Sequence, residues 1–182
     1  MIDKLLYFFL IIIFSNLINL NVYSGEVFNF DVTEAEIIDE GNIFVGKKGG
    51  TATTEDGTII KANNFKYNKI KNILIATGDV EIDDKKENII IYSQRITYLK
   101  DKEFVLTDGN SKAFSENIII DANYFTYNKI KNILNANGDV KIDNKDENYL
   151  IYADNATYHK NEELFLTNGN SQAINEGIII DA

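Results

Sequence analysis

The chain has 182 residues, a formal net charge of −10, and no cysteine, proline or tryptophan. Acidic residues outnumber basic ones 28 to 18 with no basic stripe, so nucleic-acid binding, which needs clustered cations to displace counterions, is not expected. Without cysteine there is no disulfide or thiolate metal site, and a single histidine gives little from which to build a nucleophilic triad.

Residues 1–24 read as an export signal. Lys4 supplies the positive end, and Leu5 to Phe14 form an unbroken apolar run. A helix over that run covers about 15 Å, half of a bilayer core of roughly 30 Å. Val22 and Ser24 sit at the −3 and −1 positions of a cleavage site before Gly25. A cleaved signal peptide is the expectation, with a retained anchor as the alternative.

Residues 25–182 read as one domain built by repetition. A shortened leading unit spans 26–57, where Ile43-Phe44-Val45 reads as strand, Gly46 to Gly50 as turn and Asp56-Gly57 as a hairpin signal. Four units follow at 58–87, 88–117, 118–148 and 149–182. The block Tyr67-Asn68-Lys69-Ile70-Lys71-Asn72-Ile73-Leu74 returns letter for letter at Tyr127 to Leu134, and Gly78-Asp79-Val80 returns as Gly138-Asp139-Val140. Such self-similarity means that one supersecondary unit is stacked on itself. Ile178-Ile179-Ile180-Asp181-Ala182 repeats Ile118 to Ala122, so the last unit runs into a fresh strand.

Within a unit, an apolar strand comes first: Thr58 to Tyr67, Asn88 to Tyr98, Ile118 to Tyr127, Tyr149 to Tyr158. A polar turn such as Asn128 to Asn132 or Lys100 to Glu103 leads to a second strand. There Leu134, Ala136, Gly138, Val140 and Ile142 alternate with polar neighbours, the period of a half-buried strand. The first strands carry a phase slip. Ile60 and Ala62 share one parity while Phe65 and Tyr67 share the other, and the slip recurs at Ile91/Ser93 against Ile96/Tyr98 and at Ile120/Ala122 against Phe125/Tyr127. Only a bulge or bend brings both pairs to one core. No segment after residue 25 sustains a helical period. The spacing of the polar turns favours antiparallel reversals over the rival architecture, a parallel β-helix.

The pattern Ile-x-Ala-x-x-Phe-x-Tyr, a polar turn, then Leu-x-Ala-x-Gly-Asp-Val-x-Ile runs from Ile60 to Ile82 and from Ile120 to Ile142. Degenerate copies lie at Ile91 to Ala113 and Ile151 to Ala173. It resembles the repeat of the OstA-like domain family, found in LptA and in the N-terminal domain of LptD; an LptC-like protein is a third relation to weigh. The resemblance implies an all-β fold: an elongated, twisted antiparallel β-jellyroll of stacked units of about thirty residues, open along one side. It further implies lipopolysaccharide transport in the periplasm, in association with the outer membrane, without catalysis, cofactor or metal. Lipid A acyl chains would lie in the apolar interior. Other Lpt β-jellyroll proteins, or an outer-membrane barrel, would join by edge-to-edge strand pairing.

The inward-facing set is then Phe65, Tyr67, Leu74, Val80, Ile96, Tyr98, Val105, Phe125, Tyr127, Leu134, Val140, Tyr158 and Phe165. The residues alone favour a sealed core, as in an exported structural or adhesive β-solenoid, and the resemblance brings the groove level with it. Ile178, Ile179 and Ile180 make an apolar edge, where strands usually carry charge to repel strangers. Asp79, Asp83, Asp84, Asp139, Asp143 and Asp146 read as solvated turn residues, since no calcium-loop pattern surrounds them. His159 reads as an exposed turn residue.

Overall fold

The computed structural model describes residues 27–181; the leader assigned to residues 1–24 lies outside the described residues. The alternating pattern gives strands β1 (Phe28–Ile38), β2 (Ile43–Thr54), β3 (Ile59–Ala62), β4 (Asn64–Asn68), β5 (Ile73–Asp84), β6 (Ile89–Leu99), β7 (Phe104–Asp108) and β8 (Ser111–Ser115). The chain continues through β9 (Ile118–Ala122), β10 (Tyr124–Asn128), β11 (Ile133–Asn144), β12 (Tyr149–His159), β13 (Leu164–Asn168), β14 (Gln172–Asn175) and β15 (Ile178–Asp181). Short 3-10 turns at Lys100–Lys102 and Lys160–Glu162 join β6 to β7 and β12 to β13. The strands form one sheet in which every pairing is antiparallel, which rules out the parallel β-helix.

The register resolves this sheet into two ladders that share their long strands. The first ladder holds the Ile73–Thr77 half of β5, the Arg95–Leu99 half of β6, then β7, β10 and the Ile133–Asn137 half of β11. The second holds the Val80–Asp84 half of β5, the Ile89–Ser93 half of β6, then β8, β9 and the Val140–Asn144 half of β11. Each long strand therefore turns a corner, and the phase slip in the sequence marks it. Ile60 and Ala62 before the corner and Phe65 and Tyr67 after it are all buried, because the chain bends at Asn63 between β3 and β4.

Glycine makes the corner possible. In β5 the pairing with β6 jumps between Thr77 and Val80, and the intervening Gly78 and Asp79 adopt φ of +80° and +48°. A Cβ on Gly78 would stand 2.8 Å from the Asn63 amide nitrogen, so only glycine lets the neighbouring strand close in. The Asn63 N–H donates to the Gly78 carbonyl at 2.9 Å, and the Asn63 side-chain amide donates to Asp79 at 3.2 Å. Gly138, Asp139 and Asn123 repeat the arrangement, with the same backbone bond at 2.9 Å. Asp79 and Asp139 thus sit in strand corners instead of the open turns expected of them.

The leading unit departs from expectation as well. Gly46 to Gly50 is not a turn: β2 runs through it, because this is where β2 takes its own corner beside the register jump between Val32 and Glu34 of β1. Asp56-Gly57 does form the hairpin, closed by the Thr54 N–H donating to the Thr58 carbonyl at 3.0 Å. His159 ends β12, half-buried, rather than standing in the turn that follows.

Candidate functional site

The corners line one side of the stack, and the turns form two rows on the other. Turns 69–72, 100–103, 129–132 and 160–163 end the first ladder; turns 55–58, 85–88, 116–117 and 145–148 end the second. Between the ladders runs a continuous apolar interior. Phe65, Tyr67, Leu74, Val80, Ile96, Tyr98, Val105, Phe125, Tyr127, Leu134, Val140 and Tyr158 are all buried there, and Phe165 packs against them partly buried. The set expected to face inward is brought together. Register explains it: Tyr98 pairs with Leu74 on one side and Val105 on the other, and Val105 in turn pairs with Tyr127. Tyr158 stacks on Phe165 with centroids 4.4 Å apart, and Phe28 meets Tyr67 edge-on at 5.0 Å.

Three of the buried tyrosine hydroxyls reach polar partners in the turns. Tyr67 donates to Asn72 at 2.7 Å, Tyr127 donates to Asn132 at 3.1 Å, and Tyr98 donates to Glu103. Burial pushes the Tyr98 and Tyr127 hydroxyls far above the ordinary phenol range, and neighbouring carboxylates push the same way. These groups remain protonated and act as donors.

The two rows of turns meet at a charged cluster that inspection of the sequence missed. Lys129, expected in a polar turn, is only 9 % exposed, and Asp84, expected to be solvated, is 1 % exposed. The Lys129 ammonium donates to Asp56 at 2.8 Å and to the Thr58 hydroxyl at 2.5 Å, and stands 3.1 Å from Asp84 Oδ2. Among the described residues that oxygen accepts no well-aligned hydrogen bond, so the ammonium 3.1 Å away is what compensates its charge. Burial opposes ionisation of Asp56, but hydrogen bonds from Lys129 and Thr54 outweigh it and hold the carboxyl well below the usual range. Burial likewise opposes the Lys129 charge, and the two aspartates raise its pKa in spite of it. No local signal distinguishes Lys129, because Lys69 stands in an identical octapeptide and is exposed.

At the far end of the stack the pairing is one-sided. Among the described residues β15 pairs only with β14, and β13 only with β12. Ile178, Ile179 and Ile180 are 65, 59 and 61 % exposed, and Leu164 and Leu166 on β13 are exposed as well. A surface pocket of about 420 Å³ lies along the corners, lined by Lys61, Asn63, Asp79, Glu81 and Tyr92 among others; of the inward set only Val80 touches it. Among the described residues no group of three or more acidic or histidine side chains is placed to hold a metal ion.

This architecture defines a class: an all-β jellyroll of stacked antiparallel units with the LptA-like, OstA-like fold. A crystal structure with that fold is LptH, described as the LptA homologous periplasmic component of the conserved lipopolysaccharide transport device from Pseudomonas aeruginosa. It matches with a TM-score of 0.55 and 18 % identity, over 60 % of this chain and 81 % of that one. No family model and no curated protein matches the sequence, so the likeness rests on the fold.

Proposed function

We propose that this chain is a periplasmic, non-catalytic carrier of lipopolysaccharide on its way to the outer membrane. The observation that carries the reading is the continuous apolar interior between two ladders in a fold shared with a lipopolysaccharide-transport component. Each methylene moved from water into such an interior is worth about 0.8 kcal/mol, so a few acyl chains supply the driving force without charged contacts. The phosphorylated headgroup, repelled by an acidic surface, stays in solvent. Ile178, Ile179 and Ile180 extend the sheet onto a strand of another Lpt β-jellyroll protein, or of a domain joined to an outer-membrane barrel.

A fluorescent fatty-acyl probe tests the interior. The carrier binds it and releases it when lipopolysaccharide is added; a folded protein that never binds the probe ends the reading. The second reading, a sealed structural repeat, is favoured by one observation: Leu74, Tyr98 and Phe125 are 0 % exposed, with the interior filled by its own side chains. Edge pairing has its own test. Ile179→Pro removes a ladder donor and is expected to abolish head-to-tail assembly in size-exclusion chromatography; unchanged assembly contradicts it.

A further inference from the structure

A lysine in a turn is ordinarily solvated, and here the repeat supplies its own control. Lys69 and Lys129 are the same letter of the same octapeptide, yet Lys69 is exposed and Lys129 is buried between the two rows of turns. Lys129 belongs to the turn between β10 and β11 in the first ladder. Its partners Asp56 and Thr58 lie in the turn between β2 and β3, and Asp84 ends β5, all in the second ladder. Beside it, the Asn132 amide donates to Glu87 at 2.6 Å, again from first row to second. These contacts hold the tips of the two ladders together.

Asp84 has a twin in Asn144, and the twin shows what its charge is for. Asn144 Oδ1 accepts the Asp146 and Glu147 N–H groups at 3.0 Å, as Asp84 Oδ1 accepts the Glu87 N–H at 3.3 Å. The turn needs one oxygen and no charge. The second Asp84 oxygen faces Lys129 instead. Global stability is a weak explanation, because well-packed apolar residues usually serve as well as a buried ion pair. An ion pair differs from an apolar seam in how it opens: once water enters, each separated partner is solvated. Water has a way in. A pocket of about 110 Å³ reaches the pair, lined by Asp56, Asp84, Glu87, Glu103, Lys129 and Ile130. Directly behind lies the apolar interior, with the Lys129 ammonium 5.9 Å from the centre of the Tyr98 ring.

We propose that Lys129, Asp56 and Asp84 form an ionic latch across the seam between the two ladders, closing the entrance through which acyl chains reach the interior. Opening swings the 129–132 turn away from Asp56 and Asp84 and uncovers Tyr98, Val105 and Tyr127. The purpose of the latch rests on the carrier reading; its geometry does not.

The chain has no cysteine, so one engineered thiol reports opening cleanly. Val105→Cys sits behind the latch, whereas Ala136→Cys, equally buried, sits beside the corner. Maleimide labelling of each is compared with and without Lys129→Met. Asp56→Asn serves as a milder second variant, since Asp56 is partly exposed and asparagine keeps an oxygen for the Thr54 hydroxyl. The latch predicts that labelling at position 105 accelerates about tenfold or more beyond any acceleration at position 136, which reports global destabilisation alone, and that acyl-probe uptake accelerates with it. Equal acceleration at both positions means general loosening and overturns the latch, as does no change at either. Faster labelling at 105 alone, with no probe uptake by any form, upholds the latch and overturns the carrier reading.

Discussion

Ile120 and Ile180 occupy one position in two copies of the same five letters, yet Ile120 is 2 % exposed and Ile180 is 61 % exposed. Thr107 is buried while Thr167, sixty residues on, is exposed. The letters match and the neighbours differ: β9 pairs with β8 and β11, whereas among the described residues β15 pairs only with β14. Lys69 and Lys129 make the same point from the turn side. Burial here is conferred by other units of the stack, whether the next one along, as for Ile120, or one further off, as for Lys129.

The sharpest way to break that comparison is to place a charge at both isoleucines. Ile120→Asp buries an unpaired carboxylate and is expected to cost upward of about 4 kcal/mol, enough to prevent folding, while Ile180→Asp stays within about 0.5 kcal/mol. Urea unfolding midpoints decide it, and equal effects would contradict the account. Next come the lysines. Lys129→Met strands the buried Asp84 and should cost about 3–5 kcal/mol, against about 0–1 for the exposed Lys69→Met. A smaller effect is expected at the glycines. Gly138→Ala forces a Cβ into Asn123 at a φ of +75° and should cost about 1–3 kcal/mol. Gly41→Ala, with a φ of +93° but nothing within 4 Å, should cost less in the same unfolding measurement.

The smallest effect is the pH response of the latch. Because the Asp56 pKa is depressed on folding, its stabilisation is fully present above the unfolded value of about 4 and is lost as pH falls towards the folded one. The raised pKa of Lys129 acts in the opposite sense: its stabilisation is present below about 10.4 and fades as pH climbs through the folded value. Acid titration of thermal stability should therefore be shallower in Asp56→Asn than in the parent chain. An identical acid slope would show that Asp56 is not held by Lys129.

The repeat and the corners were legible in the residues. Period-two alternation exposes the strands, and the change of parity between Ala62 and Phe65 exposes the bend, because burial on both sides of Asn63 leaves no other geometry. The latch was not legible. Lys129 lies 73 residues from Asp56 and 45 from Asp84, counted along the chain, and reaches them only because one ladder folds over the other. Nor did Gly46 to Gly50 announce a corner, since a run of glycine and lysine looks alike in a turn and in a sharply bent strand. Local pattern specifies elements and their faces; which turn meets which is a property of the stack.

Site-specific photocrosslinking from Phe125 in cells tests the central claim, that the apolar interior is a path for acyl chains. Phe125, on β10 of the first ladder, lies wholly inside the apolar interior. The account predicts a lipopolysaccharide adduct from that position. Absence of the adduct, in protein that is exported and folded, would contradict it and leave a sealed repeat.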